Sequence, residues 1–220
     1  MIEKILVSFD LDFTLINNQE GILNSFDYVF SKYNIPQKLD DNFKKMIGIP
    51  LEKVFSKISD LNPIELIKTF REYYAKKGIY QVEIFPRVSE ILNSLKEQNI
   101  ILGVVTSKKQ ELAIKLLDFL QISHYFNFII GETPKIKSKT DINIKNFFDE
   151  NYPDYSYFIV GDHISDRRLA EMLNSKFIGV LTGNHSKEEL LDDSSVPVLI
   201  LENISQLSVE KFISFMNIYS

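Results

Sequence analysis

The sequence predicts an α/β protein, a doubly wound and mostly parallel sheet with a small α-helical insertion. Three observations lead there. Short, continuously apolar runs such as residues 4–9, KILVSF, suit strands covered on both faces. From residue 82 onward such runs alternate with segments that are apolar at helical spacing, which implies right-handed βαβ units. Between about residues 21 and 78 the pattern is helical throughout, with no convincing strand.

Residues 4–9 are the expected first strand. In the insertion, Ile22, Phe26, Val29 and Phe30 recur at helical spacing; Leu51, Val54, Phe55 and Ile58 follow, then Ile64, Leu66, Ile67, Phe70 and Tyr74. Pro50 and Pro63 mark helix starts or breaks. The aromatic residues here are expected to form the insertion's own core. Pro86 opens a helix carrying Val88, Ile91, Leu92 and Leu95. Residues 100–106 are the second strand, 108–120 an amphipathic helix, 126–131 the third strand, 142–149 a helix and 155–162 the fourth strand. A helix over 165–173 takes Ser165 as its expected N-cap. Residues 176–181 and 197–201 supply two more strands, and the last helix is expected over 205–215.

The totals narrow the class. A chain of 220 residues can form one large domain, or a core with an insertion. Its 45% apolar and 25% charged residues are ordinary for a globular protein. The net charge of −5, with no long run of one sign, disfavours nucleic acid as a partner. With no cysteine, disulfides, thiolate nucleophiles and cysteine-bound zinc are excluded, and a reducing compartment is indicated. The start, MIEKILVSFD, is too short an apolar run for a secretory signal, and no stretch approaches the ~18 apolar residues of a membrane span. The expectation is a cytoplasmic protein without membrane partners. Nothing in the pattern specifies an oligomeric state.

Ligands of such sheets bind outside the carboxyl ends of the strands. Asp10, Asp12 and Thr14 follow the first strand, and Thr106 and Ser107 follow the second. A loop with Lys135, Lys137 and Lys139 follows the third, and Asp162 and Asp166 follow the fourth. Four carboxylates in one cleft repel: a like pair at about 4 Å costs roughly 4 kcal/mol at an effective dielectric near 20. Such a group persists with a cation or with raised pKa values. Magnesium suits it, because this small hard ion takes one or two carboxylates and accepts phosphate oxygens as further ligands. A lysine helps neutralise a phosphate dianion, hydroxyls and backbone N–H groups hold its oxygens, and a carboxylate aimed at phosphorus permits covalent catalysis.

DLDFT at 10–14, a strand ending in Thr106, a lysine ahead of the fourth strand, and GDHISD at 161–166 resemble, in order, the four motifs of the haloacid dehalogenase (HAD) superfamily of phosphohydrolases. The helical insertion resembles the small cap of phosphoglycolate phosphatase-like members, giving an expected core of 1–15 and 83–220 and a cap of 16–82. The resemblance implies that Asp10 is the nucleophile and that Asp12 is the general acid and then base. It implies that Thr106, with Ser107, binds the phosphoryl oxygens. Magnesium would be held by Asp10, the main-chain carbonyl of Asp12, Asp162 and Asp166. For the motif lysine, Lys139 in KTDINIK fits better than Lys137, although the family's K-P-x-P pattern is missing. Phe13 stands where the family most often has glycine, and Arg87 stands where glycine is usual after Pro86.

The implied function is a magnesium-dependent phosphatase acting on a small phosphorylated metabolite through an aspartyl-phosphate. The alternatives are a β-phosphoglucomutase-like phosphotransferase, a pyrophosphatase, or a non-catalytic binding protein on the same scaffold. The retained Asp12 favours phosphate ester or phosphoanhydride chemistry over carbon–halogen cleavage. His163 is expected to lie behind the site or in solvent, His124 in a loop, and His185 in solvent.

Overall fold

The computed structural model describes residues 4–218. Part of the N-terminal reading falls on residues 1–3, outside the described residues. The chain divides into two compact units, residues 1–16 with 84–220, and residues 17–83.

The larger unit begins with β1 (Lys4–Phe9), which is followed by β2 (Ile16–Asn17) at the boundary. The smaller unit holds α1 (Gln19–Tyr33), α2 (Asp41–Lys44), α3 (Leu51–Ile58) and α4 (Pro63–Lys76). The chain returns through β3 (Glu83–Ile84), which pairs with β2 as a small two-stranded sheet. Next come α5 (Val88–Glu97), β4 (Ile101–Lys109), α6 (Gln110–Phe119), β5 (Phe128–Glu132) and α7 (Ile142–Asn151). The chain then runs through β6 (Tyr155–Gly161), α8 (Ile164–Met172), β7 (Lys176–Val180), α9 (Lys187–Leu191), β8 (Val198–Leu201) and α10 (Val209–Ile218).

The six-stranded sheet has the order β5-β4-β1-β6-β7-β8, and every pairing is parallel. Counted along the chain, these strands stand 3-2-1-4-5-6, the doubly wound order whose direction reverses between β1 and β6. β1 is central, which explains its unbroken apolar run: Leu6, Val7 and Phe9 are fully buried. On one face Leu6 and Ile159 join Ile144, Phe148, Leu169 and Phe177 in a single core cluster. On the other, Phe158 packs on Phe212 of α10 with ring centroids 4.5 Å apart. The register of β1 aligns Phe9 with both Val104 and Val160. The chain therefore leaves β1, β4 and β6 side by side.

The smaller unit is built around Phe26, whose ring lies 4.9 Å from Phe43, 5.4 Å from Phe55 and 4.7 Å from Phe70. Burying each such ring stabilises the unit by roughly 1.5–3 kcal/mol. Asn62 caps α4 by accepting from Ile64 N, and Pro63 occupies its first turn, where a missing N–H is harmless.

Four local expectations are corrected. Helix α6 starts at Gln110 rather than Lys108, because β4 continues irregularly to Lys109. The N-cap of α8 is His163 rather than Ser165: its Nδ1 accepts from Ser165 N at 3.0 Å, and Asp166 accepts from His163 N at 3.2 Å. The last helix starts at Val209, because Asn203 ties residues 204–206 into a separate 3₁₀ turn. His185 is half-buried rather than solvated, edge-on to His163 with centroids 4.2 Å apart.

Candidate active site

β1 ends at Phe9, and Asp10 N still donates to Val160 O at 2.8 Å, so the first acid is fixed by the sheet itself. The chain then folds tightly: the N–H groups of Leu15 and Ile16 donate to Leu11 O, and Phe13 N donates to Ile16 O at 2.8 Å. Phe13 closes this turn with a left-handed φ of 59°. A side chain there costs roughly 1–2 kcal/mol, which explains why glycine is commoner in such a turn. The hydroxyl of Thr182, just beyond β7, donates to Phe13 O. Arg87 is a parallel case, with φ 65° at the start of α5.

Asp162 and Asp166 arrive from β6, the strand across the reversal point. One carboxylate oxygen from each of Asp10, Asp162 and Asp166 lies within 4.8 Å of the others, and all three residues are buried. Thr14 Oγ1 donates to Asp162 Oδ1 at 3.2 Å. Asp166 sits in the first turn of α8, where it closes the capping box. Two glycines permit the packing. A Cβ on Gly183 would lie 1.8 Å from Asp162 Oδ2, and one on Gly161 would lie 2.2 Å from Asp166 Cγ.

Of the three loop lysines, Lys139 reaches this cluster. Its Nζ is 2.7 Å from Asp10 Oδ1 and 2.6 Å from Asp166 Oδ1, with the residue 4% exposed. Lys135 and Lys137 are exposed. Asp141 sets this geometry: it caps α7 by accepting from Asn143 N, and it also accepts from Lys137 N at 3.1 Å. The loop is thereby folded so that Lys137 stays outside while Lys139 points in.

Asp12 lies apart from the cluster. Its Oδ2 is 3.0 Å from Lys108 Nζ, a partner that the sequence does not single out. Thr106 is buried and its Oγ1 accepts from Lys108 N at 3.2 Å, while Ser107 is exposed. The register of β1 with β4 puts Thr106 two residues past the partner of Phe9, at the edge where Asp10 emerges.

The electrostatics follow from crowding. Three buried carboxylates and one buried ammonium leave a formal charge of −2 when all are ionised. Burial, with Asp10 and Asp166 nearby, pushes the Asp162 carboxyl well above the usual carboxylate range. Asp166 is pushed up to about 7, by burial first and by Asp10, against the pull of Lys139. Burial also raises Asp12, and Lys108 offsets part of that rise. Burial disfavours the Lys139 ammonium, but Asp10 and Asp166 overcome this and hold it charged above its ordinary range. His163 is lowered to about 4 by burial and by His185. An all-oxygen donor set two charges short of neutrality fits a small divalent cation.

Comparison with known proteins agrees with this geometry. The haloacid dehalogenase-like hydrolase family matches residues 7–180. A phosphoglycolate phosphatase of Aquifex aeolicus is 30% identical over 57% of this chain and 60% of its own length. The pyrophosphatase PpaX of Oceanobacillus iheyensis is 35% identical over 56% of this chain and 58% of its own. The chain therefore matches less than two thirds of either relative. A solved haloacid dehalogenase-like family hydrolase from Streptococcus pneumoniae superposes with a TM-score of 0.82 at 26% identity, covering 98% of this chain and 100% of that one. With the family's pattern spanning both strand ends that carry the acids, the chain belongs to the haloacid dehalogenase-like hydrolases.

Proposed function

We propose that this protein is a magnesium-dependent phosphatase that hydrolyses a small phosphomonoester through an aspartyl-phosphate on Asp10. The observation that carries the reading is the division of the acids. Asp10, Asp162 and Asp166 cluster around Lys139, while Asp12 stands apart on Lys108. One group is suited to charge neutralisation and attack, the other to proton transfer. The names of the relatives, phosphoglycolate phosphatase and pyrophosphatase, support a phosphoryl substrate.

In this reading a carboxylate oxygen of Asp10 bonds to phosphorus while the ester P–O bond breaks and Asp12 gives its proton to the leaving oxygen. Water then attacks phosphorus, Asp12 takes the proton, and the Asp10–phosphorus bond breaks to release phosphate. Thr106, with Ser107 and nearby N–H groups, holds the phosphoryl oxygens, and Lys139 offsets their charge. Magnesium, held by Asp10, Asp162, Asp166 and the main-chain carbonyl of Asp12, would supply positive charge to the phosphoryl group. Residues 17–83 act as the family's cap and set substrate choice. Among the described residues no helix is long and apolar enough to cross a membrane; a cytoplasmic setting belongs to the same proposal.

The test is phosphate release from a panel of phosphorylated metabolites, with and without magnesium. Release that requires the ion is expected, and no release from any member overturns the reading. A second expected result concerns the metal-free protein. Asp166 has a folded pKa above its unfolded value, so its protonated form is favoured in the fold. That contribution is complete below the ordinary aspartate value near 4 and is lost as pH rises through about 7. Melting in a chelator should therefore give a Tm that falls from pH 5 to 8. Added magnesium should raise Tm more at pH 8 than at pH 5. An equal rise at both would show that these acids are not the ligands.

A further inference from the structure

We propose that Lys108 is a positioning residue for Asp12, holding its carboxyl group in place for proton transfer to the leaving group. This inference rests on the phosphatase reading above. The contact is short and shielded: Lys108 Nζ lies 3.0 Å from Asp12 Oδ2, with the lysine side chain 8% exposed and the aspartate side chain 27% exposed. The backbone is shaped to make it. The β4–β5 register shifts between Val105 and Lys109, and within that irregular stretch Lys108 N donates to Thr106 Oγ1. Bulges of this kind re-aim side chains beside functional sites. The two buried lysines thus divide the acids, Lys139 serving Asp10 and Asp166, Lys108 serving Asp12.

This arrangement has a chemical consequence. When the Asp12 proton moves to the leaving oxygen, negative charge develops on a carboxylate already facing an ammonium. The contact is then stronger at the transition state than before it, which is the condition for a rate effect. Fixing one oxygen also keeps Asp12 from swinging towards the Asp10–Asp162–Asp166 group.

The test compares an alkyl phosphate, whose leaving group needs a proton, with p-nitrophenyl phosphate, whose leaving group does not. Wild type, Lys108→Met, Lys108→Arg, Asp12→Asn and the Lys108→Met/Asp12→Asn double variant are assayed for kcat and KM. Melting curves check that each is folded. For Lys108→Met, kcat on the alkyl ester should fall about 10–100-fold with KM within about twofold, while the aryl ester loses about threefold or less. Lys108→Arg should recover most of the loss, and Lys108→Met should add nothing in the Asp12→Asn background. A raised KM with unchanged kcat would make Lys108 a substrate-binding group and overturn the proposal. Equal losses on both esters, or additivity with Asp12→Asn, would do the same. Wild-type turnover with an unaffected Lys108→Met sinks this inference alone. A wild type that hydrolyses neither ester removes the phosphatase reading and this one together.

Discussion

Asp10→Asn is expected to reduce phosphate release by about 10⁴-fold or more while leaving the fold intact, as befits loss of the proposed covalent nucleophile. The amide is nearly isosteric with the carboxylate, and the backbone bond from Asp10 N to Val160 O does not involve the side chain. The substitution also removes one negative charge from a crowded group, and Lys139 keeps Asp166 as a partner. The metal-free variant should therefore melt no lower than wild type at pH 8. Activity and stability are thus expected to move in opposite directions, which a general folding defect would not produce. Retained wild-type phosphate release would remove Asp10 from the nucleophile role.

Lys139→Met should be the most damaging single change to stability. The ammonium is buried against two carboxylates at 2.7 and 2.6 Å, and removing one partner of a buried ion pair costs about 3–5 kcal/mol. For a chain of this size that corresponds to roughly 10 °C in Tm. The loss should be largest in the metal-free protein at pH 8. It should shrink at pH 5, where the raised carboxyls can take up protons instead. Lys137→Met, on an exposed side chain, should match wild type in both melting and kcat/KM. Equal effects of the two substitutions would mean that the Lys139 contacts contribute nothing to the site.

The fold was largely legible because its signals are local and repeated. β1 reads as a doubly covered strand from KILVSF alone, and alternation after residue 82 implies the parallel sheet. The strand order was not legible, since apolar runs do not say which neighbours pair. The acids were legible because they follow the ends of β1 and β6, and strand ends share one edge in a parallel sheet. What escaped depended on backbone detail. A bulge cannot be read from VVTSKK, so Lys108 was given to a helix. Histidine is a rarer cap than serine, so the sequence suggests Ser165, whereas the His163 ring is the group that accepts from Ser165 N. Lys139 and Lys137 differ by two residues and carry the same chemistry; KTDINIK already favours Lys139, and it is the one whose Nζ reaches Asp10 and Asp166.

The backbone bond from Phe85 N to Leu15 O, 3.0 Å long, joins the two places where the larger unit is interrupted. It works as a suture: the unit's chain resumes beside the point where it broke off. Closing a flexible excursion of this length costs roughly 4 kcal/mol in chain entropy, and that cost grows only slowly with further residues. A graft of different size or architecture could therefore be stitched in at the same two residues with little penalty to the sheet. The strand ends that carry the acids and the segment proposed to select substrates would then be free to diversify separately.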